Sequence, residues 1–154
     1  MKLFVCVCLV LTVISVVDAF RQQSVGVRGK LMCGDKPLNN TLVKIWGTKN
    51  WLVDVKCPQY NDSNLGTDDQ LGATQTDSDG KFELSGGVGS LLGMDVKLKV
   101  YHDCDDGITP GQRKVVWGIP SHYVTRTEKV QKFFDAGTIN MELKHEGEER
   151  SLIN

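Results

Sequence analysis

The residues best equipped for chemistry stand together in Tyr101-His102-Asp103-Cys104-Asp105-Asp106-Gly107. An imidazole, a thiol and carboxylates at such close spacing are the side-chain types that hold metal ions or activate a sulfur nucleophile. A calcium loop of the EF-hand kind needs oxygen ligands at positions 1, 3, 5 and 12, with glycine at 6. Setting Gly107 at position 6 puts Arg113 last, and setting Gly80 of Asp77-Ser78-Asp79-Gly80 there puts Gly86 last. Both loops lack the closing glutamate, so these acidic residues are expected to form turns. His102 and Cys104 share one face of a strand, but no CxxC or HxxxH pair completes a zinc site around them. We therefore expect no metal and no other cofactor, with His102 a packed or edge residue. A nucleophilic Cys104 would have to stay reduced. That depends on the compartment the chain enters.

Met1 and Lys2 precede an apolar run from Leu3 to Val17, and small Val17 and Ala19 occupy the positions that a signal peptidase reads. The run is shorter than the roughly 20 residues that span a bilayer. Residues 1–19 are expected to be a signal peptide cleaved after Ala19, which places the mature protein in the extracellular space. No later segment is long and apolar enough to be a transmembrane span. Losing Lys2 and Asp18 together leaves the net charge at −1, which calls for neither nucleic acid nor an anionic surface as partner. Cys6 and Cys8 leave with the signal, so Cys33, Cys57 and Cys104 meet an oxidising environment. One disulfide and one remaining thiol are expected, and three pairings are open at this point. Asn39-Asn40-Thr41 and Asn61-Asp62-Ser63 make Asn39 and Asn61 candidate glycosylation acceptors.

The elements that must position these residues are strands. From Phe20 onward apolar side chains alternate rather than recur at a helical period. Val25, Val27, Leu31 and Cys33 fall on one face, Val43 and Ile45 oppose Lys44, and Val96, Leu98, Val100 and His102 oppose Lys97, Lys99 and Tyr101. Gly80 is expected to supply the positive φ of a β-hairpin turn. Residues 47–70 form one long loop, a feature often functional. The pattern predicts an all-β domain over residues 20–144, an antiparallel β-sandwich of seven or eight strands, followed by a loose charged tail over residues 145–154. Trp51 and Leu52 in the loop are candidate apolar contacts for a ligand or partner, while Trp46 is expected to pack over the sandwich edge. Arg113 and Lys114 are candidates for phosphate or carboxylate groups, although a solvated strand face explains them equally.

Taken in order, the segments VRGKLMCGDKPLNNTLVKIW, TDSDGKFELSG, LKVYHDCDDG, QRKVVWGIPSHYV and DAGTINMELKHEGEER resemble the nematode transthyretin-like family, secreted proteins distantly related to transthyretin. The resemblance implies a prealbumin-like sandwich and pairs Cys33 with Cys104, a bond closing about 70 residues and worth roughly 4 kcal/mol. Two departures stand out. Gly111 and Ser151 occupy positions where many relatives carry cysteines, consistent with the loss of one disulfide, and the loop holding Cys57 is longer than the family leads one to expect. Cys57 is then a free thiol or an intermolecular one joining a homodimer. Relatives that hydrolyse hydroxyisourate end in Tyr-Arg-Gly-Ser, whereas this chain ends in Ser-Leu-Ile-Asn, so the resemblance implies a protein that is not an enzyme. The expected function is non-enzymatic extracellular binding, bridging cell-surface proteins or lipid headgroups. A carrier of a small apolar ligand is the alternative, and hydroxyisourate hydrolysis the least favoured. Intact-mass spectrometry of the secreted chain should show an N-terminus at Phe20; a chain still beginning at Met1 would remove the signal-peptide expectation.

Overall fold

The computed structural model describes residues 22–49, 68–90 and 93–152. The expected signal peptide, Trp51, Leu52, Cys57 and the Asn61 sequon lie outside the described residues. Seven long strands account for most of the described chain: β1 (Gln22–Cys33), β3 (Leu42–Lys49), β4 (Asp68–Gln75), β5 (Lys81–Gly89), β6 (Met94–His102), β7 (Gln112–Ile119) and β8 (Phe133–Asn140). Two short ones are added, β2 (Lys36–Pro37) and β9 (Glu149–Ser151). They stack as two sheets. The first contains β2, β1 and β5, with β8 also paired to β1; the second runs β4-β3-β6-β7-β9. All strand pairs are antiparallel except β1 with β8, which is parallel and shifts register between Arg28 and Lys30.

The alternation seen in the sequence sets which side of each strand is dry. Val25, Val27 and Leu31 of β1 meet Val43 and Ile45 of β3, Val96, Leu98 and Val100 of β6 and Val115 of β7 in one continuous core, all almost completely buried. Each such side chain contributes about 1.5–3 kcal/mol by leaving water. A one-residue slip of any strand would turn this set outward. Register is therefore fixed by burial.

Two expectations are corrected. The Asp77–Gly80 turn does not close a hairpin, because β4 pairs with β3 and β5 with β1. It carries the chain from one sheet to the other at the edge of the sandwich. There Gly86 has no Cβ to obstruct the Leu71 carbonyl of β4. The described part of the tail is not loose either: residues 149–151 pair with β7, and Glu148 forms an ion pair with Arg113 in which both side chains are about nine-tenths covered.

Asp77 caps the intersheet turn by accepting from the backbone N–H groups of Asp79 and Lys81 at 2.9 and 2.8 Å. Gly80 at φ +76 completes it, and a Cβ there would press into the Leu31 carbonyl oxygen. Gly80→Ala should accordingly lower stability by about 1–3 kcal/mol in urea denaturation; an unchanged midpoint would show that the turn relaxes freely.

Candidate functional site

The His102–Asp106 cluster turns out to be a structural corner. Cys33 at the end of β1 and Cys104 just past β6 form a disulfide with Cα atoms 5.7 Å apart, tying the two sheets together. His102 is the last residue of β6, and its inward face leaves it 1% exposed. The Cys104 N–H donates to His102 Nδ1 at 3.3 Å, which places the ring proton on Nε2, and Nε2 has no partner among the described residues. Burial, reinforced by the Arg113 charge, lowers the His102 pKa to about 4. The ring is neutral at physiological pH. Asp103 accepts from Gln112 Nε2 at 3.0 Å. Asp106 is engaged by both terminal nitrogens of Arg150, and this hydrogen bonding holds its carboxyl below the usual range. No group of three or more metal-ligating side chains converges among the described residues.

Arg113 is the main correction among the site residues. Instead of standing on a solvated face or awaiting a ligand, it is 9% exposed and its guanidinium makes five hydrogen bonds. Nε and Nη2 donate to the two Glu148 carboxylate oxygens at 2.6 and 2.9 Å. Nη1 donates to the carbonyls of Cys104 and Met141 at 2.7 and 3.1 Å, and Nη2 also to that of Leu143 at 3.1 Å. That number matches the five N–H groups of the fork. The bidentate bond from Arg113 holds the Glu148 carboxyl below its ordinary value. Nothing remains on Arg113 for an outside partner.

Lys114, next along β7, points the opposite way and belongs to a different arrangement. On the outer face of the second sheet, register sets Lys44 of β3 opposite Lys99 of β6 and Trp46 opposite Lys97. Tyr101 of β6 lies between Leu42 of β3 and Lys114 of β7. Four lysines thus share this face, two of them over aromatic rings. Lys99 Nζ sits 4.2 Å from the Trp46 ring centroid and Lys44 Nζ 5.4 Å from that of Tyr101, favourable cation–π positions. Burial lowers the Lys99 pKa, and the charges of Lys114, Lys97 and Lys44 lower it further against an opposing pull from Asp68. Lys114 pairs with Glu149 of β9 at 2.6 Å. Trp46, expected over the sandwich edge, is instead half-buried beneath this outer face.

The lysine face was only partly visible beforehand. Alternation assigned Lys44, Lys97 and Lys99 to outward faces, but nothing local says that β3, β6 and β7 are neighbours. A second feature escaped sequence reasoning altogether. A recess of about 260 Å³ opens between the sheets where β7 faces β8, lined by Leu98, Trp117, Phe134, Ala136, Ile139 and His145. His145 closes it, stacked edge-on against Trp117 with ring centroids 5.2 Å apart and its Nε2 3.1 Å from the Asn140 carbonyl oxygen. Of the glycosylation candidates, Asn39 stands exposed on the turn between β2 and β3.

The described residues thus form a two-sheet β-sandwich with an intersheet disulfide and lysines gathered on the outer face of one sheet. The sequence model of the transthyretin-like family matches residues 28–120. Among Caenorhabditis elegans proteins, transthyretin-like protein 33 is 42% identical over 89% of this chain and 87% of its own length. Transthyretin-like protein 46 is 37% identical over 99% of this chain and 76% of its own, and transthyretin-like protein 5 is 35% identical over the whole of both. The chain belongs to the transthyretin-like family.

The buried imidazole gives the fold a calculable acid sensitivity. His102 takes up a proton at about pH 4 when folded and near pH 6.5 when unfolded, so between these values the unfolded chain binds more protons. Stability therefore falls as pH drops from 6.5 to 4, by up to about 3 kcal/mol. The depressed Glu148 carboxyl contributes stability above its unfolded value that is lost at still lower pH. His102→Leu should flatten the upper part of this loss and leave the lower part, as measured by urea denaturation across the range; a slope unchanged from the parent would assign the titration to another group.

Proposed function

We propose that this chain is a secreted, non-enzymatic extracellular binding protein that engages anionic groups on a cell-surface protein or lipid headgroup through the outer face of its five-stranded sheet. The gathering of Lys44, Lys97, Lys99 and Lys114 across three adjacent strands carries the reading. Such a lysine-rich patch, with Asp68 and Glu149 beside it, supplies steering and orientation for an oppositely charged partner. The groups that looked catalytic support it from the other side: Cys104 is in a disulfide, His102 is buried, and Arg113 has its hydrogen bonds within the fold. In this reading residues 1–19 direct export, Asn39 and Asn61 accept glycans, and Cys57 stays free or links two copies. Trp51 and Leu52 are taken, from their residue types alone, as further contacts for the partner.

The recess between β7 and β8 favours a second reading, a carrier of a small apolar ligand. At about 260 Å³ it sits just below the usual range of ligand pockets, so a small compound with one hydrogen-bonding group would suit it. The two readings separate by mutation. Replacing Lys97, Lys99 and Lys114 with Gln should weaken binding of the mature protein to intact cells about tenfold, the sum of three surface charges, one exposed and two half-buried, at roughly 0.5 kcal/mol each. Flow cytometry with labelled protein checks it, and cell binding that survives the triple substitution counts against the lysine face.

A further inference from the structure

Resting on that reading of the face, we propose that its partner is a sulfated polysaccharide, laid as an extended chain across β3, β6 and β7. The register sets the shape of the charge. Lys97 and Lys99 succeed one another on the same face of β6, Lys44 lies directly across from Lys99, and Lys114 is one diagonal step further, opposite Tyr101. Same-face positions are about 7 Å apart along a strand and neighbouring strands about 5 Å apart. The line from Lys97 through Lys99 to Lys114 thus extends roughly 15 Å at the backbone. That is longer than one phosphate can bridge, and it suits a polymer carrying an anion on successive sugars.

Asp68 of β4 and Asp95 of β6 also lie on this face and offset part of its charge, Asp68 acting on Lys99. Of its four lysines, only Lys114 forms an ion pair with a described residue, Glu149. Glu149 is 64% exposed at its side chain, so a stronger anion can displace it. The aromatic rings under the ammonium groups add a second element of recognition. Trp46 and Tyr101 hold Lys99 and Lys44 above them, and when these lysines reach toward sulfates, the Trp46 ring is uncovered for the apolar C–H face of a sugar. Trp46 Nε1 has no hydrogen-bond partner among the described residues. A bilayer fits less well. Peripheral membrane docking places apolar side chains at the acyl boundary, and the large exposed apolar residues among the described ones, Ile108, Leu143 and Leu152, lie off β3, β6 and β7.

The test uses the full secreted chain on immobilised heparin, on fully desulfated heparin, and with vesicles of phosphatidylserine in phosphatidylcholine. The expected result is retention on heparin that weakens as salt rises, no retention on the desulfated polymer, and no vesicle binding. Lys97→Gln with Lys99→Gln should lower heparin affinity about tenfold, whereas Lys129→Gln, on an exposed loop away from the face, should leave it unchanged; thermal unfolding verifies that each variant is folded. Retention independent of sulfation, or unaffected by the double substitution, overturns the proposal. Vesicle or cell binding that needs the lysines while heparin is not bound overturns the polysaccharide and preserves the binding face. Cell binding indifferent to the lysines removes both.

Discussion

The fork of Arg113 is the interaction on which the rest of the architecture leans. It starts on β7 and reaches the Cys104 carbonyl beside the disulfide, the Met141 and Leu143 carbonyls at the exit of β8, and the Glu148 carboxylate just before β9. Segments from both sheets and the C-terminal strand meet at one side chain. A buried guanidinium is tolerated only when every donor and its countercharge are provided, and here they are. Removing Glu148 alone would strand a buried cation at a cost of about 3–5 kcal/mol. The disulfide and the clasp therefore share a corner: the covalent bond joins β1 to the end of β6, and the ion pair ties in the C-terminal segment beyond β8.

Much of this could be read from the chain before any coordinates. Val25, Val27, Val43, Ile45, Val96, Leu98 and Val100 are inward because alternation places them so, and β1, β3 and β6 follow from the same signal, although β3 and β4 extend into residues 47–49 and 68–70 that sequence assigned to the long loop. Arg113 could not be recognised, since its partner is 35 residues away and an arginine within a strand has the same sequence signature whether it faces water or a buried carboxylate. The tail after His145 looked loose for a related reason. Its charges suggested solvation, but three of the four find an opposite charge on another element: Glu148 with Arg113, Glu149 with Lys114, and Arg150 with Asp106. The intersheet course of the Asp77–Gly80 turn was hidden because turn chemistry specifies a reversal without specifying which strand receives it.

Net charge was a poor guide to the outer face. A total of −1 conceals the segregation that strand order creates, in which Lys44, Lys97, Lys99 and Lys114 converge while acidic residues such as Asp103 and Asp106 are held at the disulfide corner. A β-sheet converts the spacing of charges in sequence into rows across strands, so a surface field depends on topology as much as on composition.

The parallel pairing of β1 with β8 has a consequence in time as well as space. Arg28 and Asp135, which meet across this pair, are 107 residues apart in the chain, so during synthesis β1 emerges long before its neighbour exists. Its other long partner, β5, arrives earlier, leaving most of one edge of β1 open until β8 has been made. Non-local closure of this kind is slow, and it leaves an unpaired strand edge exposed in the interval. Closing the first sheet therefore waits on β8, and β1 carries an unpaired edge until that strand has been translated.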